Sequence, residues 1–65
     1  MNADKLKGKL AENSISGVKL AQLLEVSPNT VYKWLKTGRI KSNYIKDIMT
    51  ILNLTSEETA AIFLE

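Results

Sequence analysis

The sequence predicts an all-α fold, a bundle of five short helices. Apolar residues recur at i, i+4 or i, i+3, i+4, i+7 spacings, and no segment sustains a period-2 alternation. Ser, Thr, Pro and Gly fall where short helices start and stop. No apolar heptad persists along the chain, so the helices are expected to cross at steep angles rather than wind into a coiled coil.

Helix 1 is expected over residues 3–12. Leu6 and Leu10 share one face, Gly8 weakens the helix by about 1 kcal/mol relative to Ala, and Asn13 is the stop. Helix 2 follows Ser16, whose hydroxyl can accept an otherwise unpaired backbone N–H. Leu20, Ala21 and Leu24 form its buried stripe, helped by Leu23 and Val26. Helix 3 has Ser27 as N-cap and Pro28 at the first helical position, where a missing N–H is harmless. Val31 and Leu35 are expected to face inward, with Trp34 at the edge of the core and Gly38 ending the helix in a left-handed conformation. Helix 4 starts near Ser42 and repeats apolar residues at Ile45, Ile48, Met49 and Leu52. Helix 5 starts at Thr55, which forms a capping box with Glu58, and closes with Ala61, Ile62, Phe63 and Leu64.

At 65 residues the chain is read as one domain, residues 1–65. A chain of this size buries only about 60% of the surface it exposes when unfolded. It has neither Cys nor His, so disulfides and the commonest metal ligand and proton shuttle are missing. With no Gly-rich phosphate loop and no paired carboxylates, neither an enzyme nor a cofactor, metal or small-molecule substrate is expected. The first ten residues lack the apolar run of a signal peptide, and no stretch approaches the roughly 20 apolar residues of a membrane span. A cytoplasmic protein without membrane association is therefore expected.

Charge is unevenly distributed. Residues 1–46 carry all nine Lys and Arg with only Asp4, Glu12 and Glu25, a net +6. Residues 47–65 carry four acids and no base. A basic majority suits a face that meets a polyanion. Solvated lysines on a small helical protein would give the same tally.

Helices 2 and 3 are separated only by Glu25-Val26-Ser27, a spacing that forces a steep crossing, as in helix-turn-helix units. Ala21 is small where the helices come closest, and Val26 plugs the turn. The outer face of helix 3 then presents Asn29, Tyr32, Lys33 and Lys36, with Ser27 and Pro28 at its tip. An α-helix fits the DNA major groove; Asn can pair with adenine, Lys with guanine, and Tyr32 can pack on a thymine methyl or bond a phosphate. Between Val26 and Lys46 the chain carries Lys33, Lys36, Arg39, Lys41 and Lys46 and no acid. Phosphate contacts need such a surface.

The stretch SGVKLAQLLEVSPNTVYKWLKTGRI resembles the helix-turn-helix of the lambda repressor and Cro family of phage regulators. The pattern L-A-x-L-L-x-V-S-x-x-T-V runs from Leu20 to Val31, and YIKDIMTILNLTSEE is similar to the family's fourth helix and the start of its fifth. The resemblance covers residues 4–64 and implies a lambda-repressor-like domain that binds double-stranded DNA at a pseudo-palindromic operator, as a transcriptional repressor and homodimer. It implies base contacts from Ser27, Pro28, Asn29, Tyr32 and Lys33. Phosphate contacts would come from Ser16, Gly17 and Lys19, and from Lys36, Arg39, Lys41 and Asn43. Ala61, Ile62, Phe63 and Leu64 are expected at the dimer interface. The family often has Gln where Gly17 stands, and Gly where Glu25 stands; Glu25 is therefore expected either in an uncomfortable backbone conformation or in a slightly different turn. VSPNTVYKWLKTGRI also resembles excisionase and MerR-like winged helices, which continue into a β-hairpin. A third reading is an antirepressor-type protein-interaction module that keeps the fold without reading DNA.

Overall fold

The computed structural model describes residues 1–64; Glu65, the last residue of the single-domain assignment and of the acidic tail, lies outside them. The order is α1 (Ala3–Glu12), α2 (Gly17–Leu24), α3 (Pro28–Thr37), a 3-10 turn (Ser42–Tyr44), α4 (Ile45–Ile51) and α5 (Ser56–Phe63). No strand occurs among the described residues, and residues 42–53, where a winged helix would place its hairpin, are helical or turn. No helix is long and apolar enough to cross a membrane. The Cα radius of gyration, 10.4 Å, is near the about 10.7 Å of a compactly folded chain of this length.

Helix starts follow residue chemistry. The side chains of Asn2, Ser16, Ser27 and Thr55 accept from the backbone N–H groups of Lys5, Lys19, Thr30 and Glu58. The Thr55–Glu58 box closes reciprocally, with Thr55 N–H donating to Glu58 Oε1 at 3.0 Å and Glu58 N–H to Thr55 Oγ1 at 3.1 Å. The expected helix 4 differs in its first turn. Ser42–Tyr44 winds as a 3-10 segment, Tyr44 N–H bonding to Lys41 O, before the α-helix begins at Ile45.

Three helix ends repeat one motif. Ser14, Glu25 and Asn53 all take positive φ (55°, 58° and 51°), and the next residue donates its N–H to the carbonyl five positions back: Ile15 to Leu10, Val26 to Ala21, Leu54 to Met49. This is the Schellman arrangement, and in each case an apolar residue follows the left-handed one and packs on or in the core. Only α3 ends on glycine, Gly38 at φ 72°. Glu25 therefore takes the left-handed conformation, the first of the two expectations.

The core gathers Leu6 and Leu10 from α1, Leu20 and Ala21 from α2, and Val31 and Trp34 from α3. Ile48, Leu52, Leu54, Ile62 and Phe63 complete it. Three expectations are corrected. Trp34, not Leu35, is the buried partner of Val31, because i, i+3 faces the core more squarely here; Leu35 packs at its margin. Leu23 is exposed, and Leu24 is only partly buried, because α2 ends there and turns toward α3. Ile62 and Phe63 are buried in the chain's own core, at 2% and 9% exposure, so they are not available to a second copy. Ala61 is partly buried and Leu64 is exposed.

The N-terminal segment ties distant parts together. The Met1 amino group donates to Gly38 O at 2.9 Å, and Asn2 N–H donates to Ile62 O at 2.6 Å. Lys9 bridges Glu12 (3.2 Å) on its own helix and Glu58 on α5.

Two expectations for stability follow from this packing. A Cβ at Gly8 meets nothing within 4 Å, so Gly8→Ala removes a poor helix former without cost and should raise unfolding free energy by about 1 kcal/mol in denaturant titration. The Lys9 ammonium, together with the Thr55 backbone, holds the Glu58 carboxyl below its ordinary value of 4.5. Below that value the unfolded chain takes up a proton that the folded chain still excludes. Stability from this group is thus full above pH 4.5 and lost as pH falls through the lower folded value. Glu58→Gln should flatten the acid limb of a pH–stability profile measured by thermal unfolding.

Candidate nucleic-acid interface

The outer surface of α3 is set by which side chains the core takes. Val31 and Trp34 point inward. At about 100° per residue, Asn29 and Lys36 then lie near the middle of the outward arc, with Tyr32 on one flank and Lys33 on the other. The surface follows this rotation. Tyr32 and Lys36 line a groove with Lys7, Leu10, Ile15 and Gly17. Lys33 lines a separate groove with Thr30, Thr37, Arg39 and Lys41. The helix thus forms a ridge between two depressions, each edged by cationic side chains and neither lined by an acid.

Asn29, Tyr32, Lys33 and Lys36 are all exposed, and none forms a side-chain hydrogen bond or ion pair among the described residues. Arg39 and Lys41 are likewise exposed and without acidic partners. The cations paired with glutamate lie elsewhere: Lys9 sits with Glu12 and Glu58 around a groove between α1 and α5. Among the described residues, no acid neutralises the basic surface beside α3.

The supporting contacts come from three directions. Ser27 Oγ caps α3 by accepting from Thr30 N–H (3.3 Å) and shares a hydrogen bond with Thr30 Oγ1 (2.9 Å). Its hydroxyl, expected at a base edge, is thus engaged in holding the helix tip. Pro28 and Asn29 follow it, exposed. At the other end, Thr37 Oγ1 donates to Lys33 O (2.9 Å) and accepts from Arg39 N–H (3.3 Å), which fixes the backbone where Arg39 leaves the helix. Trp34 packs against Tyr44 of the 3-10 turn, ring centroids 4.9 Å apart and tilted by 44°. That contact brings the Lys41–Asn43 segment beside the end of α3.

At the start of α2, Ser16 Oγ accepts from Lys19 N–H at 3.0 Å, and both side chains are exposed. Gly17 lies under the ring of Tyr32, so the first turn of α2 and the flank of α3 touch. Two features escaped the sequence. Lys7 is distant in the chain, yet it lines the same groove as Tyr32 and Lys36. The contact between Tyr32 and Gly17 had no local signature; a glycine at a helix start, where a side-chain cap or good helix former is commoner, was the one available cue.

No family model, curated protein or solved structure matches this chain. The geometry of α3 yields one expectation of its own. Ser27→Ala should lower unfolding free energy by about 1 kcal/mol in thermal or denaturant unfolding through loss of the cap. A stability unchanged by the substitution would show that Ser27 is not needed to hold α3.

Proposed function

We propose that this chain binds double-stranded DNA sequence-specifically through α3, as a lambda-repressor-like helix-turn-helix regulator acting at an operator. One observation carries the reading: the exposed arc of α3 bears Asn29, Tyr32, Lys33 and Lys36 without any acidic neighbour in the grooves on either side. A ridge of helix width flanked by cations matches a major groove walled by two phosphate strands.

The residues divide by position. Asn29, near the middle of the arc and close to the helix tip, is placed to read a base edge, and Pro28 adds apolar contact beside it. Lys33 reaches either a guanine or the strand on its own flank. Lys36, Arg39, Lys41 and Asn43 meet phosphates, and Ser16, Gly17 and Lys19 meet them at the start of α2. A domain of this size buries limited surface, so a pair of copies on a pseudo-palindromic site supplies the remaining affinity. With Ile62 and Phe63 inside the core, Leu64 and the rim of Ala61 are what α5 offers to such a pair.

The test uses duplexes enriched from a random pool, with binding read by fluorescence anisotropy over a range of salt. Affinity should fall steeply as salt rises. Asn29→Ala or Lys33→Ala should cost about 1–3 kcal/mol on the preferred duplex and relax its base preference. Arg39→Ala should weaken all duplexes alike and lower the salt slope by about one. Binding that survives Asn29→Ala and Lys33→Ala unchanged would rule out α3 as the contact.

A further inference from the structure

The three glycines of the chain do different work. Gly8 faces open space, and Gly38 serves a left-handed helix end. Gly17 does neither. A Cβ built there would stand 2.8 Å from Cε1 of Tyr32, 3.2 Å from its Cζ and 3.4 Å from its hydroxyl oxygen. The first two distances are closer than a side-chain carbon ordinarily tolerates. The bare backbone of Gly17 is therefore a seat, and the hydroxyl end of the Tyr32 ring rests on it.

This contact sets the ring beside the start of α2. Tyr32 is half exposed, at 49%, with one side of the ring open to solvent. Resting on Gly17, the ring leans off the ridge toward α2. Its hydroxyl then borders the groove that carries Lys7 and Lys36, both exposed and free of ion pairs among the described residues. A groove lined by a phenol and two lysines without ion pairs offers the donors a phosphodiester oxygen accepts from.

We propose that Gly17 and Tyr32 form one positioning unit that turns the Tyr32 hydroxyl onto the DNA sugar–phosphate backbone, with Lys7 and Lys36, and away from the base edges. The inference rests on the DNA-binding reading and changes the role of Tyr32 within it, from a reader of sequence to a clamp. Lys7, on α1, joins the contact surface. Base discrimination then falls to Asn29 and Lys33.

The experiment compares Tyr32→Phe, Gly17→Ala and the double variant on the preferred duplex and on an unrelated duplex of equal length. Tyr32→Phe should weaken both by the same factor, about 10- to 100-fold, the range of one hydrogen bond to a charged group. The salt slope should stay unchanged, because a phenol displaces no counterion. Gly17→Ala should reproduce the loss by lifting the ring. Tyr32→Phe added to Gly17→Ala should then cost nothing more, a coupling that independent sites do not show. In the free protein, proton NMR should find the Gly17 α-protons shifted by the aromatic ring, and the shift should vanish in Tyr32→Ala. This arm needs no DNA and decides the seat even if Gly17→Ala fails to fold.

Three results overturn the proposal: a Tyr32→Phe effect confined to one base position, additive losses in the double variant, or Gly17 α-protons at ordinary shifts. Failure of the unaltered protein to bind any duplex defeats the underlying DNA reading and the phosphate role with it. The NMR result then stands or falls separately.

Discussion

Everything outward-facing depends on the corner between α2 and α3. Glu25 adopts a left-handed conformation, and Val26 N–H reaches back to Ala21 O at 3.0 Å. Ala21 is completely buried where the helices meet, so a larger side chain there would push α3 off the body. The corner fixes the rotation of α3, and with it the burial of Val31 and Trp34. The rest of the surface follows: Tyr32 reaches Gly17, Trp34 reaches Tyr44, and the two basic grooves lie on either side. Altering the backbone at Glu25 would reorient all of these together.

Helix starts were easier to read in the sequence than helix ends, and the reason is chemical. A start is announced by a side chain that performs the cap, as at Ser16, Ser27 and Thr55 with Glu58. An end is announced by glycine only when glycine is used. Here Ser14, Glu25 and Asn53 accept the left-handed conformation instead, and the apolar residue after each compensates by packing inward. The shared signal was the polar-then-apolar pair after the last helical turn, a weaker cue than glycine. The exchange of Trp34 for Leu35 has a similar origin. Both lie near the inward face at helical spacing, and the ring of Tyr44, ten residues on, completes the pocket that favours the indole.

The exposed residues of α3 could be named from spacing alone because they belong to one helix. Contacts that cross between helices could not. Lys7 enters the α3 groove only through the packing of α1 on α3, and Gly17 meets Tyr32 only through the α2–α3 corner. The charge count had the same limit. Residues 1–46 are strongly basic, yet Lys9 is already neutralised by Glu12 and Glu58, the latter from the acidic end of the chain. Both grooves beside α3 are lined by cations that have no acidic partner among the described residues.

The hydrogen bond from Asn2 to Ile62 brings the first helix's entry and the last helix's exit to a single point. Polypeptide joined before α1 and polypeptide joined after α5 would therefore depart from adjacent positions. A unit with neighbouring entry and exit can be spliced into a surface loop of another protein while barely stretching its host. The same property makes it portable: several copies could be strung on one chain, each keeping its exposed α3 ridge intact.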